Sequence, residues 1–79
     1  MALRYLTDRI TVDEGICNGK PTIRGTRLTV QTVLEYLAAG DSAAEILDAY
    51  PFVEQADIEA SLKFAADMLS HSYTIKDVA

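Results

Sequence analysis

The chain has 79 residues, of which 49% are aliphatic or aromatic, and a formal net charge of −5. That length supports one domain around one small core, and the apolar content is too high for a disordered chain. The acidic balance argues against a general nucleic-acid coat protein, and no apolar run approaches the ~20 residues that span a bilayer.

Met1 to Leu6 lacks the long apolar centre of a secretory signal, so a cytoplasmic location is expected. A core this small rarely leaves more than ~3–5 kcal/mol of stability unless a disulfide, a metal or a second subunit helps. Cys17 is the only cysteine and His71 the only histidine, so this chain alone builds neither a disulfide nor a zinc cluster. Oligomerisation is the remaining support. Charge is divided unevenly: residues 1–30 carry five cations against three acids, and residues 31–79 carry two cations against nine acids. The first part suits an anionic partner and the second repels one.

Arg9-Ile10-Thr11-Val12 alternates polar with β-branched residues, which predicts a short half-buried strand ended by Asp13-Glu14-Gly15. Asn18-Gly19 is a further turn signal. Pro21-Thr22-Ile23-Arg24 reads as a second extended piece before Gly25-Thr26 bends the chain. Residues 9–28 are therefore predicted to form a small β-and-loop segment.

Three helices are predicted next. Val30, Val33, Leu34, Leu37 and Ala38 recur at helical spacing, with Thr29 as N-cap and Gly40 as the stop. Ser42-Ala43-Ala44-Glu45 has the spacing of a reciprocal capping box, and Pro51 ends the short helix it opens. The third helix spans roughly 55–70, burying Ile58, Leu62, Ala65, Ala66 and Leu69, with Asp57 in its first turn. Ala60, Phe64 and Met68 make a second apolar row at spacings of four, read either as a dimer interface or as a surface folded under the N-terminal segment. Residues 71–79 form a tail in which Tyr73, Ile75 and Val78 nearly alternate with polar residues. The whole chain, 1–79, is thus one mainly α domain: a β/loop segment at 9–28, a trihelical core at 29–70 and a tail at 71–79.

No catalytic constellation is visible. His71 lies in a Ser-His-Ser stretch with no thiol nearby in sequence, and the carboxylates sit at the spacings of solvated helix faces. Gly19-Lys20-Pro21 lacks the glycine-to-Lys-Ser pattern of a phosphate-binding loop. Neither an enzyme activity nor a cofactor is expected. The unusual feature is the run from Gly19 to Arg27, which sets three cations among turn-forming residues ahead of a capped helix. Lys20, Arg24, Gly25, Thr26 and Arg27 are the candidate partner- or DNA-binding residues. The two arginines suit forked bonding to carboxylate or phosphate, or alternatively brace the loop against the acidic helices.

At these residues the chain resembles the family catalogued as domain of unknown function 433, whose members are described as VapB-like antitoxins. The resemblance rests on Gly19-Lys20-Pro21, Ile23-Arg24-Gly25-Thr26-Arg27, Val30, Val33-Leu34, Gly40, Ser42, Glu45-Ile46 and Tyr50-Pro51, and it covers residues 10–69. One departure is Phe52-Val53-Glu54, where similar sequences offer Leu-Thr as a cap for the third helix. The resemblance implies a helix-turn-helix-like trihelical core, a homodimer, and inhibition of a PIN-like ribonuclease toxin; repression of its own operon through operator DNA is an optional addition to that first reading. The alternative is a stand-alone helix-turn-helix regulator. Against it, the exposed positions expected on the third helix, Gln55, Glu59, Lys63 and Asp67 with Asp57 beside them, set three acids against one cation.

Overall fold

The computed structural model describes residues 3–70, so the expected tail at 71–79 lies outside the described residues. Strands β1 (Arg4–Tyr5), β2 (Ile10–Val12) and β3 (Thr22–Ile23) form an antiparallel sheet in that order. Helices α1 (Val30–Ala38), α2 (Ala43–Ala49) and α3 (Gln55–Leu69) follow. The mainly α architecture with a small N-terminal β segment is as the sequence predicts. β1 is an addition, because two residues are too few to show alternation.

The register places Arg4 opposite Val12 and Tyr5 opposite Thr11, then Ile10 opposite Ile23 and Thr11 opposite Thr22. One face of the sheet thus carries Ile10 and Ile23, both fully buried in the core. The other carries Tyr5, Thr11 and Thr22. Both threonines are buried, and the Thr22 hydroxyl donates to the Thr11 carbonyl at 3.4 Å.

The helix ends follow local chemistry. Thr29 accepts the Thr32 amide at 3.0 Å, which supplies one of the unpaired donors at the start of α1. At its other end Gly40 takes φ +101°, so that Asp41 N–H reaches the Tyr36 carbonyl and Gly40 N–H the Leu37 carbonyl. This is the left-handed stop that glycine makes cheaply. Ser42 and Glu45 form the full capping box, at 3.1 Å and 2.6 Å. The backbone N–H of Ser42, then its side chain, hold the Glu45 carboxyl below its ordinary pKa. Tyr50-Pro51-Phe52-Val53 closes a turn through Val53 N–H to the Tyr50 carbonyl, and Pro51 cannot continue α2.

The core joins Ile23 and Leu28 of the N-terminal segment to Val33, Ile46, Val53 and Ile58 of the helical part. Each fully buried aliphatic side chain contributes ~1.5–3 kcal/mol. Tyr36 and Tyr50 link α1 to the end of α2 by a 2.9 Å hydroxyl contact and an edge-to-face ring pair. The Tyr36 hydroxyl is held above its ordinary pKa chiefly by that bond.

The buried face of α3 differs from the expected one. Asp57, Ile58 and Ser61 are buried, Phe64 and Ala65 are half-buried, and Leu62, Ala66 and Leu69 are exposed, Leu69 at 71%. The helix is rotated so that Asp57 points inward to Arg9, and this turns the Leu62–Leu69 stripe toward solvent. Ser61 fits this interior because its hydroxyl donates to the Asp57 carbonyl one turn back, at 3.0 Å.

Ser42→Ala should destabilise the fold by about 1 kcal/mol, read as a lower thermal midpoint. Since the folded pKa of Glu45 is depressed, its contribution is present above the unfolded pKa and lost as pH falls through the folded one. The midpoint difference between wild type and Glu45→Ala should therefore be full at neutral pH and shrink on acidification. A pH-independent difference would mean that the carboxylate is not the stabilising group.

Candidate functional site

The loop from Gly19 to Arg27 begins in an unusual turn. Cys17, Asn18 and Gly19 have φ of 52°, 57° and 77°, three successive left-handed residues, closed by Gly19 N–H to the Ile16 carbonyl and Lys20 N–H to the Cys17 carbonyl. Asn18-Gly19 suits this conformation, whereas Cys17 is held in it at some cost. The chain then runs extended into β3, and Val30 N–H bonds the Pro21 carbonyl at 2.9 Å.

The basic part is a closed and fastened loop. Ile23 N–H donates to the Leu28 carbonyl at 2.9 Å, and Thr26 N–H to the Ile23 carbonyl at 3.0 Å. Within that turn Gly25 has φ +76°. A Cβ there would meet nothing within 4 Å, so backbone conformation and not space favours glycine. The Thr26 hydroxyl is consumed inside the loop, donating to Ile23 O at 2.8 Å and accepting from Leu28 N at 3.0 Å. The Cys17 thiol donates to the Arg27 carbonyl at 3.2 Å, tying the loop to the left-handed turn.

Arg24 and Arg27 are exposed on this loop, and among the described residues neither pairs with an acid. The bracing arginine is Arg9, which sequence reasoning did not single out. Its Nη1 donates to Glu54 Oε1 and to Asp57 Oδ1, both at 2.9 Å, while Asp57 Oδ2 accepts the Glu54 amide at 2.9 Å. The bond it donates to Glu54, then that to Asp57, raises the Arg9 pKa above its ordinary value. Asp57 is therefore an internal anchor, a correction to its place among the outward acids of α3. The outer face of α3 is self-paired: Gln55 donates to Glu59, and Lys63 lies 3.3 Å from Asp67.

The predicted site residues are not gathered on one surface. Gly25, Thr26 and Arg27 line a trough of about 420 Å³ on the outer face of the sheet, floored by Thr11 and Thr22 and flanked by Asp13, Ile16 and Leu3. Lys20 instead borders a largely apolar groove of about 300 Å³ with Pro21, Val30, Leu34, Phe64 and Met68. Arg24 lines neither of these. The row Ala60, Phe64 and Met68 is likewise divided, because Ala60 borders a third hollow beside Thr7, Asp8 and Arg9.

Two roles for arginine separate in a melting experiment. Arg9→Ala leaves the buried Asp57 carboxylate without its cation and should lower the thermal midpoint, whereas Arg24→Ala and Arg27→Ala should leave it unchanged. Equal losses for all three would make the loop arginines structural.

Residues 10–65 match a family model described as protein of unknown function (DUF433). A crystal structure of a DUF433 member protein from Anabaena variabilis is similar, with a TM-score of 0.76 and 29% sequence identity. The likeness covers 82% of this chain and 64% of that protein, so the chain spans less than two thirds of the length of its solved relative. No curated protein matches the chain. The matched stretch contains β2, the fastened basic loop, the capped helices and most of α3, and on that ground the chain belongs to the DUF433 family.

Proposed function

We propose that this protein is an antitoxin that binds and inhibits a PIN-like ribonuclease, presenting Arg24 and Arg27 to the carboxylates with which such a nuclease holds its metal. The observation that supports the reading is the contrast among cations. Arg9 and Lys63 are engaged by acids of the chain, while Arg24 and Arg27 stand exposed on a loop fixed by backbone, hydroxyl and thiol bonds. A loop already held in shape loses little conformational freedom on binding, and guanidinium forks match carboxylates in two-point bonds. Inserted among metal-binding acids, they would displace the cation and exclude RNA.

The reading includes a homodimer formed through the Phe64 and Met68 end of α3, where Met68 is 57% exposed beside an apolar groove. It also includes a helix-turn-helix role for α2 and α3, with operator phosphates as a second target of the same arginines.

The main point is tested by looking for a PIN-like nuclease encoded beside this chain and co-expressing the two. Arg24→Ala with Arg27→Ala should abolish growth rescue and weaken the complex at least about thirtyfold, the effect of losing ~2 kcal/mol from a desolvated charge pair. Rescue that survives the double variant, while operator binding is lost with a shallower salt dependence, would assign the loop to DNA. An operon with no such nuclease would remove the reading altogether. Light scattering tests the dimer: Met68→Glu should give the monomer mass, and an unchanged dimer would place the interface elsewhere.

A further inference from the structure

The outer edge of the sheet offers a contact that the basic loop does not explain. Leu6 N–H bonds the Ile10 carbonyl at 2.8 Å, and Arg4 lies opposite Val12. Bonded and non-bonded pairs alternate along an antiparallel ladder, so Arg4 and Leu6 direct their backbone groups to β2. Leu3 and Tyr5 direct theirs outward. Among the described residues no strand lies beyond β1, whereas the β3 side is closed by Ile23 N–H to Leu28 and Val30 N–H to Pro21. The strand is only two residues long and carries the charge of Arg4, two features that limit indiscriminate edge pairing, but it is flanked by apolar surface, with Leu3 51% exposed, Tyr5 57% and Leu6 also exposed.

We propose that this edge receives an extended segment of a partner protein in which an acidic residue lies between two apolar ones. Apolar side chains would sit opposite Leu3 and Tyr5, and the acid opposite Arg4, which is exposed and, among the described residues, unpaired. Charge disfavours a second copy. The two-fold pairing that uses both Leu3 and Tyr5 is centred on Arg4 and sets it against its own copy in the close, non-bonded position. Leu3 also borders the trough that holds both Asp13 and Arg27, so the charge that selects the acid at this edge is that of Arg4. Nothing in this surface requires the partner to be a nuclease.

The test uses the full chain, isotope-labelled for amide NMR, titrated with a synthetic peptide of alternating valine and glutamate and with its valine–lysine counterpart. The glutamate peptide should shift the amides of Leu3 and Tyr5 and bind about fivefold more tightly, although the net charge of −5 favours lysine. Tyr5→Pro removes an outward N–H that the inner ladder does not use and should weaken binding about fivefold. Arg4→Glu should invert the preference between the peptides, and it supplies the decisive readout if Tyr5→Pro fails to fold. Preference for lysine in the wild type, or no shift at the edge with either peptide, overturns the proposal. So does a concentration-dependent dimer that Tyr5→Pro abolishes, since the edge would then belong to a second copy.

Discussion

The ion pair between Arg9 and Asp57 sets the geometry of much of this molecule. It joins the residue just before β2 to the first turn of α3, 48 positions away, and decides which way that helix faces. A buried carboxylate is tolerable only with its charge and lone pairs answered, and Asp57 is answered by Arg9 on one oxygen and the Glu54 amide on the other. Once Asp57 turns inward, Ile58 and Ser61 follow it, and Leu62 and Leu69 have no place in the core. The same arginine is removed from the cations available to a partner. What remains free on the basic part of the chain is thereby narrowed to Arg4, Lys20, Arg24 and Arg27 among the described residues.

Features governed by neighbours in sequence were legible in it. Thr29, Gly40, Ser42 with Glu45, and Pro51 act within one helical turn, and each does structurally what its chemistry predicts. Gly25 belongs with them, because a tight turn with positive φ is a local requirement. The rotation of α3 was not legible, since Ile58, Leu62, Ala65 and Leu69 form a good apolar stripe by periodicity alone. Only the long-range pairing of Asp57 with Arg9 reveals that Ile58 and, in part, Ala65 stay inside while Leu62 and Leu69 face solvent. Strand β1 escaped for a different reason: its pairing is specified by β2 across a turn and not by any pattern of its own.

The basic loop illustrates the same division. Its composition drew attention to Lys20, Arg24, Gly25, Thr26 and Arg27 together, yet the fold sorts them by backbone geometry. Thr26 spends its hydroxyl on loop closure, Lys20 faces the helical side, and Arg27 faces the sheet trough. The thiol of Cys17 reaches the Arg27 carbonyl only because three left-handed residues bring that turn round. Positions that look contiguous in sequence therefore present distinct chemical surfaces, one a trough over the sheet where Arg27 and Asp13 bring opposite charges, another an apolar groove with a single lysine at its rim.

The inward turn of Asp57 also divides α3 energetically. Its first two turns carry the ion pair and the fully buried Ile58 and Ser61, whereas its last two expose Leu62, Met68 and Leu69. Amide exchange should accordingly be slowest around Ile58 and quicken toward Leu69, where opening uncovers little additional apolar surface. A helix graded in this way couples recognition to local order. Any molecule that covers its far end selects the fully wound state, and part of its binding free energy is spent in suppressing fraying, so affinity at that end becomes sensitive to helix propensity at positions such as Ala66 that need not touch the partner.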